Sequence, residues 1–226
     1  MTNTSFRAMR KQKGLNQKEM ARFLRVSQPL VSQWENGTRK VPARRMCQLR
    51  KLGVDLEATE LPLRKESRLP RVDYAQELAN LGYPGFAHLR TSEAKWNPAQ
   101  LLVMALSEDN LDRRAAEALP WLGIRYSAMN WDWVRNEVKV HDAQNRLGFT
   151  LTLARKLALK RQELEVATRL EREEEALRGS LLAKDDTYCY ERMTPSERTW
   201  LHTRRSADAA NWHVLSDLEP SYLTHA

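Results

Sequence analysis

Two glutamines and a serine, Gln28, Ser32 and Gln33, lie close together in the segment SQPLVSQWENG. On a helix, positions i, i+4 and i+5 share one face, here opposite Leu30 and Trp34. A glutamine carboxamide can bond adenine bidentately through its major-groove edge. A polar, uncharged, glutamine-rich face fits base reading better than a solvated surface, which favours Lys and Glu. Just beyond it, Asn36 and the loop Thr38-Arg39-Lys40 offer donors and positive charge suited to a phosphate backbone. Arg10, Lys11, Arg44 and Arg45 are further cations of the same kind.

Short helices must position these groups. The first is expected after Ser5, with Phe6 and Met9 inward, stopping at Gly14. Asn16 with Glu19 three residues on has the spacing of a capping box, and opens a second helix that turns Met20, Ala21 and Leu24 inward. Ala21 is small where two helices cross closely. A third helix starts with Ser27 as its cap, tolerates Pro29 in its first turn, and buries Leu30, Val31 and Trp34 before ending at Asn36-Gly37. A fourth is expected from Pro42 to Gly53, burying Met46, Leu49 and Leu52, and a short fifth from Asp55.

The stretch Gly14 to Gly37, GLNQKEMARFLRVSQPLVSQWENG, resembles the helix-turn-helix of lambda-repressor/Cro-like regulators, also called xenobiotic-response-element-type regulators. The resemblance implies a five-helix DNA-binding domain whose third helix lies in the major groove. It carries base reading to Gln28, Ser32 and Gln33. It assigns phosphate binding to Gln17 at the start of the second helix, beside Asn36, Thr38, Arg39 and Lys40. It also implies a homodimer on an inverted-repeat operator in double-stranded DNA, with half-sites about one helical turn apart. One departure is Arg25, where the family usually has Gly. In a left-handed conformation Arg25 would cost on the order of 1 kcal/mol, which the turn can tolerate.

Charge divides along the chain. Residues 1–71 hold 17 Lys/Arg against 6 Asp/Glu, a net +11, and residues 72–226 hold 20 against 23, a net −3. The basic end is the footprint of a polyanion partner, which the C-terminal part need not share. With 42% apolar and 29% charged residues, the chain has the composition of an ordinary globular protein. No apolar run approaches the roughly 20 residues of a membrane span, and MTNTSFRAMRKQKG has no signal-peptide core. Cys47 and Cys189 have no local metal spacing, and a cytoplasmic, reduced protein is expected. The fold class read from these patterns is all-α: a DNA-binding domain over 1–61, a linker over 62–72 bearing Pro62 and Pro70, and a mainly helical domain over 73–226.

In that second domain, helices are expected over Asp73 to Leu81, after Asn97-Pro98, from about Asn110 to Leu119, and over Asn130 to Asp142. The last of these places Trp131, Val134, Val138 and His141 on one side. A long helical region from Asn145 to Lys184 reads as a hairpin or an extended arm, with the run EREEE at 171–175 as its solvated face. Short helices fit Ser196–Arg204 and Ala207–Ser216. The end NWHVLSDLEPSYLTHA reads as a docking tail or a frayed terminus.

The chemistry of this half is sparse. His141-Asp142, with His88 upstream, matches a metal-dependent phosphohydrolase only at the dipeptide, and His141 reads as a core histidine. No Gly-rich phosphate loop, zinc spacing or nucleophile elbow appears, so catalysis, a metal and a cofactor are not expected. Aromatic weight is high: Trp96, Trp121, Trp131, Trp133, Trp200 and Trp212, with Tyr188 and Tyr190. Such residues fill cores and dominate binding hot spots. A DNA-binding domain fused to a non-catalytic helical domain looks like the antitoxins of bacterial toxin–antitoxin operons, which neutralise a toxin and repress their own operon. Related three-part systems add a SecB-like chaperone as a second partner. The alternative is a phage-type or ligand-responsive regulator without a toxin.

Overall fold

The computed structural model describes residues 6–7, 10–11, 14–42, 45, 58–63, 72–223 and 225. The chain divides into two units, Met1–Arg64 and Lys65–Ala226. Helices dominate both, and among the described residues the second adds two strands of two residues each. The all-α class holds, and the strands are its one departure.

In the first unit Gln17–Leu24 forms α1 and Gln28–Asn36 forms α2. The Asn16 side chain accepts the Glu19 N–H at 2.9 Å, and the Glu19 carboxylate accepts the Asn16 N–H at 2.7 Å. This reciprocal pair satisfies donors that a first helical turn leaves over. α1 ends at Arg25, which adopts the left-handed conformation at φ 52°, ψ 52°. The Val26 N–H then returns to Ala21 O at 2.9 Å, closing the helix as a glycine would.

Ser27 stands at the cap of α2 but makes no side-chain cap bond. Pro29 has no N–H to offer, and the Leu30 N–H goes to the Ser27 carbonyl at 3.1 Å. At the other end Gly37 has φ 77°, a conformation glycine adopts without the steric cost a Cβ would bring.

Phe6, Met20, Ala21, Leu24, Val31 and Trp34 make one core, with Leu15, Val26, Leu30 and Val41 packed partly against it. The Phe6 and Trp34 rings meet edge to face, centroids 5.8 Å apart, a favoured aromatic geometry. Met9, Cys47 and nearly all of the expected fourth helix, with Met46, Leu49 and Leu52, lie outside the described residues. Within that helix Arg45 is helical. Of the expected fifth, the described part is a single 3-10 turn over Ala58–Glu60.

The second unit is assembled around one helix. Besides 3-10 turns at Pro84–Leu89 and Pro220–Tyr222, its elements are α3 (Tyr74–Leu81), α4 (Pro98–Leu106), α5 (Arg113–Arg125), α6 (Trp131–Val140), α7 (Gln144–Lys160), α8 (Leu164–Arg178), β1 (Asp186–Thr187), α9 (Pro195–Arg204), α10 (Ala207–Asn211) and β2 (Val214–Leu215). Asp73, Asn97, Asp112 and Asn130 cap α3 to α6 through their side chains, each replacing a missing helical acceptor. Every side chain of α7 from Gln144 to Ala154 is buried. α5, α6, α8 and α10 all pack on it, so a helix buried on every side over this stretch is the centre of the unit.

The region expected over 145–184 is a hairpin, because the chain breaks at Gln162, which has φ 62°. On α8 the buried residues Ala167, Leu170, Glu174 and Leu177 recur at spacings of three, four and three. Glu174 therefore falls on the inward stripe, and the EREEE run is not a uniformly solvated face. Its carboxylate accepts from Arg155 Nε at 2.8 Å and from Arg178 at 3.2 Å.

Two further expectations are corrected. His141 is exposed: α6 stops at Val140, and His141 turns outward as its C-cap. The segment after Asn211 is not a loose tail, and the helix expected to run to Ser216 stops at Asn211. His213 at φ 51° diverts the chain into β2, which pairs in parallel with β1, Asp186 against Val214 and Thr187 against Leu215. Trp212 is 1% exposed and fills a notch at Gly148. Its indole N–H donates to Thr152 Oγ at 2.8 Å, and the Arg178 guanidinium lies 4.9 Å over its ring.

Arg146, on the same helix, ties the unit together. It donates to both Asp186 carboxylate oxygens, at 2.8 and 2.9 Å, and to the carbonyls of Leu106 and Glu108 at 3.0 Å each. A buried guanidinium is tolerated only with such complete pairing.

Candidate nucleic-acid interface

The two faces of α2 differ completely. Val31, Trp34 and Glu35 are buried, whereas Gln28 and Gln33 are exposed and Ser32 is half-buried. Gln28 opens the helix and Ser32 stands one turn further on, beside Gln33. Among the described residues neither glutamine carboxamide bonds another protein group. Each therefore keeps a carbonyl acceptor and two N–H donors, the pattern that matches an adenine edge. Ser32 Oγ accepts from Asn36 Nδ2 at 3.4 Å, which aligns these two side chains along the same edge of α2.

Behind this face sits a charged group that the sequence reading did not single out. The Glu35 side chain is fully buried and paired with Arg10, from which it accepts at 2.5 and 3.3 Å. It also accepts from Gln17 Nε2 at 2.7 Å, and Arg7 approaches to 3.5 Å. Burial alone would raise the Glu35 pKa, but the hydrogen bonds from Arg10 and Gln17 and the Arg10 charge outweigh it and hold the carboxyl below its usual range. The signal was present in the spacing: Val31, Trp34 and Glu35 stand at i, i+3 and i+4, all on the inward stripe. Glu35 links the first helical segment, the start of α1 and the recognition helix.

This arrangement sorts the phosphate candidates. Arg10 is engaged with Glu35 and with Leu15 O, at 2.7 Å, so it is a structural cation rather than a free one. Gln17 donates one of its two amide hydrogens to Glu35 and keeps the other, at the N-terminal end of α1, where helix polarity favours anions. Thr38 donates its hydroxyl to Gln33 O at 3.2 Å, and the Arg39 N–H reaches the same carbonyl at 3.3 Å. Thr38 thus closes the end of α2 and aims the loop. The side chains of Asn36, Arg39, Lys40 and Lys11 are exposed. Arg45 donates to Arg25 O at 3.5 Å, and Arg44 lies outside the described residues.

Two helices joined by a tight left-handed turn, with a basic surround and an uncommitted amide face on the second helix, define a DNA-reading unit. Residues 6–57 match the family model described as helix-turn-helix. The N-terminal unit is a helix-turn-helix domain of the lambda-repressor/Cro-like kind, and the protein is a DNA-binding transcriptional regulator. No curated protein and no solved structure matches the chain. Among the described residues no helix is long and apolar enough to cross a membrane, and no cluster of His, Cys, Asp or Glu is placed to hold a metal.

Proposed function

We propose that this protein is a sequence-specific transcriptional repressor that binds an inverted-repeat operator as a homodimer. Gln28 and Gln33 read base edges, with Ser32 between them. Asn36, Arg39, Lys40 and the second amide hydrogen of Gln17 hold the phosphates, and Thr38 sets the course of the loop. The observation that carries this reading is the pair of exposed glutamines with uncommitted carboxamides on α2, on the part of the chain with net charge +11. No cofactor and no catalytic step enter it. The test is selection of binding sites by the full chain from randomised duplex DNA. Enrichment of an inverted repeat, with half-sites about one helical turn apart, is the expected result. Enrichment of nothing, or of the same sites by a Gln28→Ala/Gln33→Ala double variant, overturns it.

A second reading concerns the C-terminal unit. Leu159 and Leu164 flank the turn between α7 and α8 and are 45% and 65% exposed, and an apolar patch open to solvent is what a protein partner covers. They support an antitoxin-type repressor whose C-terminal unit neutralises the toxin encoded beside it. Co-expression with the operon neighbour tests this: rescue of growth supports it, and a harmless or unbound neighbour rules it out.

A further inference from the structure

The C-terminal unit contains a cleft of about 680 Å3, within the roughly 300–1,000 Å3 typical of small-ligand sites. Ala116 of α5, Tyr188 after β1 and Leu215 of β2 form its apolar floor, and α9 lines one side with Trp200 and Leu201.

α9 is an unusual wall. A surface helix normally buries one apolar stripe, yet none of the ten residues of α9 is buried. Polar bonds hold it instead: Arg198 to Glu191 at 2.7 Å, and Arg205, just past its end, to Asp185 at 2.8 Å. Its Trp200, which lines the cleft, is 53% exposed. Tyr190, 43% exposed, also lines the cleft, and follows Cys189, whose backbone is left-handed at φ 58°. A non-glycine residue in that conformation costs roughly 1 kcal/mol, and such strain gathers at ligand sites.

The charge of the lining has a sign. Asp112, Glu117, Glu197 and Asp217 outnumber Arg113 and Arg192, and Arg113 is already bonded to Glu117 at 2.9 Å. Asp112 and Glu197 serve as cap groups for α5 and α9. Asp217 makes no hydrogen bond or close ion pair among the described residues, and acts on Arg113 only through space. The floor adds an acceptor, because Pro120 inside α5 has no N–H for the Ala116 carbonyl. That carbonyl accepts from the Tyr188 hydroxyl at 3.4 Å.

We propose that this cleft binds a small organic cation with an aromatic-sized apolar body, its charge facing Asp217 and the rings of Trp200 and Tyr190. Aromatic faces attract cations, and a carboxylate beside them sets the sign of the ligand. The cleft is lined wholly by residues of the C-terminal unit, and the proposal does not rest on the DNA-binding reading.

Calorimetric titration of the full-length protein with tetraphenylphosphonium, against tetraphenylborate of the same shape and opposite charge, tests the proposal. Saturable one-to-one binding of the cation, at least about tenfold tighter than the anion, is expected. Trp200→Ala and Asp217→Asn should each weaken it about 3- to 30-fold. Both side chains are exposed, so the variants should keep the melting temperature and helical circular dichroism of the parent. Absent binding, equal binding of the two ions, or affinity unchanged in both variants overturns the proposal. Operator affinity measured on the same preparations reports separately on the N-terminal unit, so failure of one reading is not mistaken for failure of the other.

Discussion

α2 and α7 use polar side chains in opposite ways. On α2, Gln28 and Gln33 are exposed and uncommitted among the described residues. On α7, Asn145, Arg146, Thr150 and Thr152 are buried and bonded within the protein. A polar group left free on a rigid helix is available to a partner, whereas one buried and satisfied specifies the packing around it. Substitutions on α7 should therefore change stability, and substitutions on the outer face of α2 should change binding.

The sharpest break is expected at Arg146. Arg146→Leu removes the buried cation that pairs Asp186 and bonds two carbonyls, and should destabilise the C-terminal unit by about 3–5 kcal/mol, read by denaturant unfolding. Next comes Gly148→Ala: the added methyl would lie 2.2 Å from the Trp212 ring, and the overpacking should cost about 1–3 kcal/mol. On α2 the sign of the comparison reverses. Gln33→Ala should leave the unfolding midpoint unchanged while weakening operator binding by about 1–3 kcal/mol, with specificity relaxed at one base pair.

Glu35 is the exception that sharpens the contrast, a buried and satisfied charge directly behind the reading face. Its folded-state pKa lies below its ordinary value of 4.5. The stability it contributes is present above that value and is lost as pH falls through the folded pKa. Acid titration followed by tryptophan fluorescence should show the N-terminal unit loosening there, and Glu35→Gln should remove that dependence. The smallest effect is expected from Arg39→Ala, which should weaken all DNA sequences alike and lower the slope of log affinity against log salt by about 1.

Much of the N-terminal unit was legible in the sequence, because its signals are local. The Asn16–Glu19 box, the Gly37 stop, the inward Met20, Leu24 and Trp34 and the left-handed option at Arg25 all lie within one or two helical turns. Glu35 was missed because a charged residue on an inward stripe is recognisable only once Arg10, 25 residues earlier, is seen to meet it. In the C-terminal unit, caps such as Asn97 and Asp73 were readable for the same local reason. The role of Trp212, the two strands and the inward Glu174 were not. Each depends on a partner 19 to 60 residues away, and sequence periodicity does not encode which distant residues meet. His141 was misplaced by one residue of helix: the apolar period continued through it, but α6 did not.

The notch at Gly148 also orders events during synthesis. It receives a ring from position 212, so the middle of α7 stays unfilled until 64 further residues have been made. Domains tend to fold in the order in which they are made, and the helix-turn-helix can complete its own core long before that ring arrives. A message truncated anywhere between the codons for Gly148 and Trp212 would thus yield a fragment able to occupy DNA beside an unfinished partner domain. Such a fragment would compete with the intact protein for the operator, an outcome distinct from simple loss of the protein.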